Sequence, residues 1–140
     1  MRLSSMADYA VLTMCAAARH CGGARVNAAQ LAAEAHLPAP TVQKLVSKLS
    51  AAGLLKSVRG AGGGLKLARP AAAISLADII EAVEGPIALT SCLEAVHDCT
   101  LESGCSVRPH WPVVNQALRG ALAQIPLTRL SQPQHQELAA

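Results

Sequence analysis

The chain has 140 residues, a net charge of +3 and two aromatic side chains, Tyr9 and Trp111. This length supports one compact domain, and the abundance of Ala, Leu and Val favours a mostly helical fold. Because no apolar run approaches the length of a membrane span, we expect no membrane partner and a cytoplasmic location. The chain has five cysteines, an odd number, and in that reducing compartment we do not expect them to form structural disulfides.

The basic residues are concentrated in the middle of the chain. No acidic residue lies between Glu34 and Asp78, and the six lysines and arginines of that stretch give it a charge of +6. The rest of the chain carries six basic and nine acidic side chains, a net charge of −3. This polarity is typical of a surface that binds a polyanion, although a solvated basic face gives the same pattern.

Two helices are predicted in the N-terminal part of the chain. Ser4 or Ser5 can cap the first helix, which we expect to end at the pair Gly22-Gly23. Asn27 then caps a short second helix, AAQLAAEAH, which ends before the proline-containing break at residues 37–40.

A third helix is predicted to begin at Pro40 or Thr41, where a first-turn proline is tolerated, and to end at Gly53. Its apolar residues recur at i, i+3, i+4 and i+7, which indicates one buried face. They are Val42, Leu45, Val46 and Leu49. The opposite face is polar and basic, and it carries Thr41, Gln43, Lys44, Ser47 and Lys48.

Two strand-like runs, LLKSV and LKLAR, follow this helix. The glycine-rich segment RGAGGG between them predicts a hairpin tip, and no Lys-Ser/Thr pair follows the glycines as a nucleotide-binding loop would require. Helix, turn, helix and hairpin is the order of a winged helix-turn-helix, whose second helix enters the major groove of DNA. We therefore expect DNA contacts from the polar face of the third helix and from the hairpin tip. The predicted contact residues are Thr41, Gln43, Lys44, Ser47, Lys48 and Arg59.

The C-terminal half is predicted to contain two further helices. Ser75 and Asp78 resemble a capping box, and the helix that they begin is expected to end at the pair Gly85-Pro86. Pro109 to Ile125 is predicted as one long amphipathic helix. Its apolar surface is larger than so small a domain can cover, so we expect it to pair with a second copy. The predicted dimer residues are Trp111, Val114, Leu118 and Leu122.

These elements divide the single domain into four predicted regions. Residues 1–85 form the winged helix-turn-helix, residues 86–108 a cysteine-containing sensor loop, and residues 109–126 the dimerisation helix. Residues 127–140, rich in Gln, are predicted to be a flexible tail.

Three cysteines are gathered in SCLEAVHDCTLESGC, residues 91–105, with the spacing C-x6-C-x5-C. In a helix, Cys92 and Cys99 would lie roughly 10.5 Å apart along the axis, so a metal centre requires this segment to be a loop. Zinc sites usually have C-x2-C knuckles, and longer spacers suit an iron-sulfur cluster. Spacing alone leaves a cluster, zinc, a thiol switch and incidental cysteines open. Cys15 and Cys21 lack such spacing, and packing or mere exposure is their expected role.

Four stretches of the chain carry a family resemblance. They are MRLSSMADYAVLTM, VQKLVSKLSAAGLLKSVRGAGGGLKLAR, ISLADIIEAVEGPIALTSC, and CTLESGC with Trp111 after it. They resemble the iron-sulfur-sensing winged-helix transcription regulators of the IscR and NsrR type, most closely the regulators of SUF-system cluster assembly. The resemblance implies a cytosolic homodimer joined through long helices. It also implies an iron-sulfur cluster whose state changes the affinity for DNA and whose ligands are Cys92, Cys99 and Cys105.

The resemblance leaves the fourth ligand and the cluster type, 2Fe-2S or 4Fe-4S, open. Some relatives use a histidine shortly after the third cysteine, but Arg108 stands there in this chain. Others use an acidic residue of the first helix, supplied by the partner subunit, and Asp8 matches that position. Asp8 also fits a capping box with Ser5. His97 and His110 rank behind Asp8 as candidates.

The predicted function is therefore a dimeric repressor that binds a palindromic double-stranded DNA operator. Through its cluster it is predicted to sense iron-sulfur, iron or redox status and to control genes for iron-sulfur cluster assembly. The alternative is a metal-free switch in which oxidation of the same cysteines controls DNA binding. An enzyme is not expected, because the chain has no paired acid-base set and no nucleophile-base motif.

Overall fold

The structure, a computed structural model, describes residues 1–20, 25–60, 63–94 and 104–132. The helices are α1 (Ser5–Ala18), α2 (Ala28–Ala35), α3 (Ala39–Ala51), α4 (Leu76–Glu84), α5 (Trp111–Ala123) and α6 (Leu127–Ser131). The strands are β1 (Leu55–Val58) and β2 (Gly64–Leu67), and short 3-10 turns lie at Ala71–Ala73, Ser91–Leu93 and Arg108–His110.

Helix α1 lies at the centre of the N-terminal half. The Ser4 side chain caps it by accepting a hydrogen bond from the Ala7 amide at 3.1 Å. Ser4 is therefore the cap, one of the two predicted serines, and Ser5 is the first helical residue and does not form the alternative capping box with Asp8. The helix contacts α2, α3, α4, α6 and β2. Met14 is fully buried in the resulting core. The helix ends at Ala18, before the predicted glycine pair, which lies outside the described residues.

Helices α2 and α3 form the helix-turn-helix. The predicted Asn27 cap forms a reciprocal box with Gln30, with bonds of 2.8 and 2.9 Å. His36 ends α2 in the left-handed conformation, at φ 56°, which is uncommon for a residue other than glycine. Pro38 then leads into α3, which begins at Ala39, one residue before the predicted start.

The predicted two-stranded hairpin is present. Strands β1 and β2 are antiparallel, with Leu55 opposite Leu67 and Val58 opposite Gly64. The Leu65 amide also donates to the carbonyl oxygen of Val26 at 2.6 Å, so the segment before α2 extends the sheet by one bridge. The hairpin is therefore attached to the helical core and has a fixed position beside α3.

The capping box that begins α4 is present, with Ser75 and Asp78 bonded at 2.9 and 3.1 Å. The long helix predicted from Pro109 to Ile125 is shorter. A 3-10 turn occupies Arg108–His110, and regular α-helix extends only from Trp111 to Ala123. Pro109 and Pro112 explain the late start, because a proline has no amide to donate and is tolerated only in a first turn.

The flexible tail predicted from residue 127 is wrong for its first five residues. Leu127–Ser131 form α6, which packs against α1, and the Leu127 side chain is fully buried. The Leu127 amide donates to the Ile74 carbonyl, and the Leu76 amide donates to the Ile125 carbonyl, both at 2.8 Å. This pairing returns the chain to the core. No helix among the described residues is long and apolar enough to cross a membrane.

The buried Leu127 predicts a stability effect. We expect Leu127→Ala to lower the free energy of unfolding by about 2–5 kcal/mol, because the substitution leaves a cavity between α6 and α1. Arg129→Ala, on the exposed side of the same helix, should change it by less than about 0.5 kcal/mol. Urea denaturation of both variants at one protein concentration measures the difference. Equal effects of the two substitutions would contradict the packing of α6.

Candidate DNA interface and sensor segment

The polar face of α3 is on the outside of the protein. Val42, Leu45 and Leu49 are completely buried, and this fixes the rotation of the helix about its axis. The other side of the helix faces solvent. Gln43, Lys44, Ser47 and Lys48 are exposed, and Thr41 is half-buried.

Within this face the side chains differ in how free they are to meet DNA. The Ser47 hydroxyl donates to the carbonyl oxygen of Gln43, one turn earlier, at 3.2 Å, so its donor is already used within the helix. Gln43 can accept from and donate to an adenine edge, and lysines such as Lys44 and Lys48 can contact guanine or phosphate. No acidic residue lies between positions 35 and 77 of the sequence, so this stretch is purely basic.

The hairpin tip brings Arg59 to the surface beside α3. Arg59 directly follows β1 and is exposed. Gly60 has φ 106°, a conformation that other residues rarely adopt. At the loop end of β2, a Cβ on Gly64 would lie 2.6 Å from the carbonyl oxygen of Val26, so only glycine permits the bridge that attaches the hairpin to the core.

Two lysines of the hairpin, Lys56 and Lys66, were not among the predicted DNA-contact residues. The register places Lys56 directly opposite Lys66, and both side chains are exposed. Like charges in opposed positions repel each other, and a polyanion would relieve that repulsion. Arg69 behaves differently, because its guanidinium lies 3.5 Å from the carboxylate of Asp78, the capping residue of α4.

Two of the three clustered cysteines are described. Cys92 lies in the 3-10 turn Ser91–Leu93, and its sulfur is 3.0 Å from the Thr90 hydroxyl. Cys92 and Cys105 are free thiols and half-buried. Cys99 lies outside the described residues, as do Cys21 and His97. Among the residues that are described, no three His, Cys, Asp or Glu side chains converge as a metal site would require.

The remaining candidate side chains lie apart from this segment in sequence. Asp8 is exposed in the first turn of α1, and His110 is exposed in the turn before α5. Cys15 is instead buried in α1. Burial raises the pKa of its thiol, with the charge of Arg19 acting in the opposite direction. A protonated, buried thiol is a poor nucleophile and a poor metal ligand.

The backbone that leads to Cys92 is bonded to α4 and α5. The Asn115 amide group donates to the Ile87 carbonyl at 2.8 Å and accepts from the Leu89 amide at 2.9 Å. The Ile87 amide donates to Glu81 at 3.0 Å. Arg119 binds the other oxygen of Glu81 through two nitrogens, at 2.6 and 3.0 Å. We call these bonds among Glu81, Ile87, Leu89, Asn115 and Arg119 the Asn115 network.

Helix α5 has a largely uncovered apolar surface. None of its thirteen residues is fully buried. Val113 and Val114 are 74% and 43% exposed, and Trp111 is half-buried. Leu118 and Leu122 instead line a cavity of about 410 Å³ between α5, the end of α4 and the N-terminal residues. The four predicted dimer residues therefore lie partly on an outer face and partly over this cavity.

Comparison with known proteins gives a consistent result. Residues 3–133 match the Rrf2 model, described as iron-dependent transcriptional regulators. IscR of Vibrio vulnificus is 32% identical over 130 residues, which are 93% of this chain and 77% of that protein. Among solved structures, CymR, the global cysteine regulator of B. subtilis, has a TM-score of 0.71 at 30% identity, with 94% of this chain and 96% of that chain covered. IscR of T. potens has a TM-score of 0.67 at 30% identity, with 93% and 85% covered. The predicted mostly helical winged-helix fold is confirmed.

The exposed face of α3 predicts two separable effects on DNA binding. Gln43→Ala should lower affinity for the preferred sequence by about 1–3 kcal/mol and relax base preference. Lys48→Ala should weaken binding to all sequences and reduce the salt dependence by about one phosphate contact. Fluorescence anisotropy with specific and random DNA at several salt concentrations measures both effects.

Arg129→Ala, on α6, is the matched control for loss of a surface cation. It should change neither quantity, because α6 packs on α1 and on the 3-10 turn Ala71–Ala73 and carries none of the predicted DNA-contact residues. If a folded Gln43→Ala variant kept both affinity and base preference, α3 would not be the helix that reads the sequence.

Proposed function

The chain belongs to the Rrf2 family of iron-dependent transcriptional regulators, and from this premise we propose that it is a cytoplasmic homodimeric repressor with an iron-sulfur sensor. Its membership makes it a DNA-binding transcription regulator and not an enzyme. The observation that carries the proposal is the combination of an outward-facing polar helix α3 with two free thiols on the segment between α4 and α5. The genes that it controls are proposed to be those of iron-sulfur cluster assembly.

The DNA-binding step follows from the α3 face and the hairpin. Thr41, Gln43 and Lys44 contact base edges in the major groove, because they lie near the N-terminus of the second helix of the motif. Ser47 and Lys48 lie nearer the groove wall. Arg59 at the hairpin tip, together with the opposed lysines Lys56 and Lys66 of the same hairpin, meets phosphates. These residues bind one half-site of a palindromic double-stranded operator.

Dimerisation follows from the uncovered face of α5. A second copy covers Val113 and Val114, which one chain alone leaves exposed, and the remaining exposed part of the half-buried Trp111. Two copies related by a two-fold axis place their α3 helices in successive major grooves, about 34 Å apart. The distance between the two α3 helices then depends on how α5 sits on its own chain.

The donor set of the sensor fits an iron-sulfur cluster. Thiolates are the usual protein ligands of such clusters, and Cys92 and Cys105 are free and partly accessible. We propose Cys92, Cys99 and Cys105 as three ligands and Asp8 of the partner subunit as the fourth. The exposure of Asp8 on the first turn of α1 leaves it available to a second copy. When bound, the cluster supplies a centre whose ligation depends on iron supply and oxidants.

The state of these cysteines controls DNA binding through the protein itself. We call the residues from Gly85 to Glu94 the sensor segment, and a change in what holds Cys92 would allow this segment to shift. That segment is bonded to α4 and α5, so the shift changes the placement of α3 relative to its partner copy. A metal-free thiol switch would use the same segment, with oxidation of Cys92 and Cys105 in place of ligand release.

The sensor proposal predicts the metal content of the protein. Protein purified without oxygen should retain iron and sulfide, and Cys92→Ser and Cys105→Ser should each lose most of both. Asp8→Ala should lower retention without altering the fold, since its carboxylate is exposed. The buried Cys15→Ala is the control and should keep its iron. Native mass spectrometry measures all four variants.

Two outcomes would decide against this proposal. Protein without iron and sulfide but with a stable link between two of the cysteines would favour the metal-free thiol switch. Iron and sulfide that survive both cysteine substitutions would mean that Cys92 and Cys105 are not ligands.

The uncovered face of α5 predicts the effect of a charge on assembly. Val114→Asp should weaken dimerisation by roughly 3–5 kcal/mol, because it places an unpaired carboxylate in the interface. Ala72→Asp, at an exposed position outside α5, should leave the dimer intact. Light scattering coupled to size-exclusion chromatography measures the assembly state. A Val114→Asp variant that remains dimeric at micromolar concentration would place the interface elsewhere.

A further inference from the structure

The Asn115 network joins α5 to α4 and to the segment directly after α4, both of which are far from α5 in sequence. Asn115 lies 26 and 28 residues from the backbone groups that it bonds, and Arg119 lies 38 residues from Glu81. Neither Asn115 nor Arg119 belongs to the DNA-reading face, to the proposed ligands or to the proposed dimer residues. Asn115 bonds two residues between the end of α4 and Cys92, and Arg119 bonds Glu81 within α4, whose other oxygen accepts from the Ile87 amide.

We propose that Asn115, supported by Glu81 and Arg119, is the positioning group of the sensor. It fixes the backbone that leads to Cys92 and connects that backbone to α4, which packs against α3. This inference rests on the proposed function, since the connection has a role only where the state of the cysteines changes DNA binding.

The chemistry of the Asn115 side chain suits this role. A primary amide has both donors and an acceptor, and here it pairs with the carbonyl of Ile87 and the amide of Leu89. The Ile87 carbonyl and the Leu89 amide belong to residues i and i+2. A residue of a neighbouring parallel strand would bond the same two groups. An aspartate keeps the acceptor for Leu89 but sets a carboxylate against the Ile87 carbonyl. A leucine of similar volume makes neither bond.

The network ends close to the sulfur of Cys92. Thr90, the residue after Leu89, touches that sulfur with its hydroxyl at 3.0 Å. The Thr90 carbonyl also accepts from the Leu93 amide at 3.1 Å, which closes the turn that holds Cys92. Only two residues separate Cys92 from Leu89, whose amide is bonded to Asn115. A displacement of Cys92 therefore also displaces the Leu89 amide and strains its bond to Asn115.

The other end of the network reaches the DNA-reading half. One oxygen of Glu81 accepts from the Ile87 amide and the other from Arg119, so this carboxylate connects the sensor segment to α5 through α4. Helix α4 buries Ile79 and Ile80 and contacts both α1 and α3. A movement of Ile87 is therefore transmitted to α4, the helix that contacts α3.

Hydrogen exchange tests the positioning directly in the full-length reduced protein. The Leu89 amide is bonded to Asn115, so we expect its exchange to be about fivefold faster or more in Asn115→Leu, which corresponds to one lost hydrogen bond. The matched control is Gln116→Leu, the same amide-to-leucine change at an exposed neighbour on α5, and it should leave that rate unchanged. Alkylation of Cys92 by a maleimide should rise in Asn115→Leu relative to alkylation of Cys105.

DNA binding tests the connection. The quantity to compare is the dissociation constant for operator DNA in the iron-loaded state divided by that in the iron-free state. If the protein holds no iron, the oxidised and reduced states take their place. Asn115→Leu and Asn115→Asp should bring this ratio at least about fivefold closer to one, whereas Gln116→Leu should keep the wild-type ratio. A merely structural role would lower the melting temperature and weaken both states equally, leaving the ratio unchanged.

Each result decides the inference. Unchanged exchange of the Leu89 amide in Asn115→Leu would overturn the positioning role. Faster exchange with an unchanged affinity ratio would overturn the connection to α4. A wild-type ratio of one would instead defeat the proposed function, and with it the connection, while the exchange experiment would still show whether Asn115 positions the segment.

Discussion

The close packing of helices against α1 is the constraint on which the DNA-reading half depends. Helix α1 contacts α2, α3, α4, α6 and β2. Most of the side chains that α1 buries are alanines, and Met14 is buried as well. Small side chains let neighbouring helices approach closely, and a densely packed contact leaves few alternative arrangements. Thr13 is the polar side chain that α1 buries, and its hydroxyl donates to the Tyr9 carbonyl at 2.8 Å, so its burial leaves no unsatisfied donor.

This packing determines which residues can face DNA. Helix α3 is held by three fully buried side chains, Val42, Leu45 and Leu49, so its polar residues have only the outer side available. The hairpin is fixed independently through the bond between Leu65 and Val26. Helix α3 and the hairpin therefore form one rigid surface. The charge of this surface is positive, because the sequence between residues 35 and 77 contains six basic residues and no carboxylate. In the proposed dimer, a change in DNA affinity is then most easily produced by moving this surface relative to that of the second copy.

The sequence predicted the features that depend on local chemistry. The caps Ser4, Asn27 and Ser75 bond to amides within three residues, and the buried stripe of α3 follows from its own periodicity. The features that were missed depend on distant partners. The residues near Leu127 do not indicate that its amide donates to the Ile74 carbonyl. The many glutamines that follow favour a disordered segment, so the short helix α6 was not predicted. Asn115 appears as an ordinary polar residue on an amphipathic helix until the fold brings Ile87 and Leu89 beside it. The candidate thiols were found from spacing, whereas the side chains that hold one of them in place were not.

The two sides of α5 give the proposed sensing and the proposed dimerisation a physical connection. Asn115 and Arg119, one turn apart, lie on the same side of the helix and bond inward to the sensor segment and to Glu81. Val113 and Val114 lie on the exposed side, where the proposed second copy packs. In that dimer any tilt of α5 driven by the segment before Cys92 also moves the interface. Because each α3 is rigidly attached to its own core, a small rotation at the interface becomes a larger displacement between two helices that must meet grooves about 34 Å apart. In the proposed mechanism, a sensor segment of a few residues therefore controls operator binding without deforming the surface that reads the DNA.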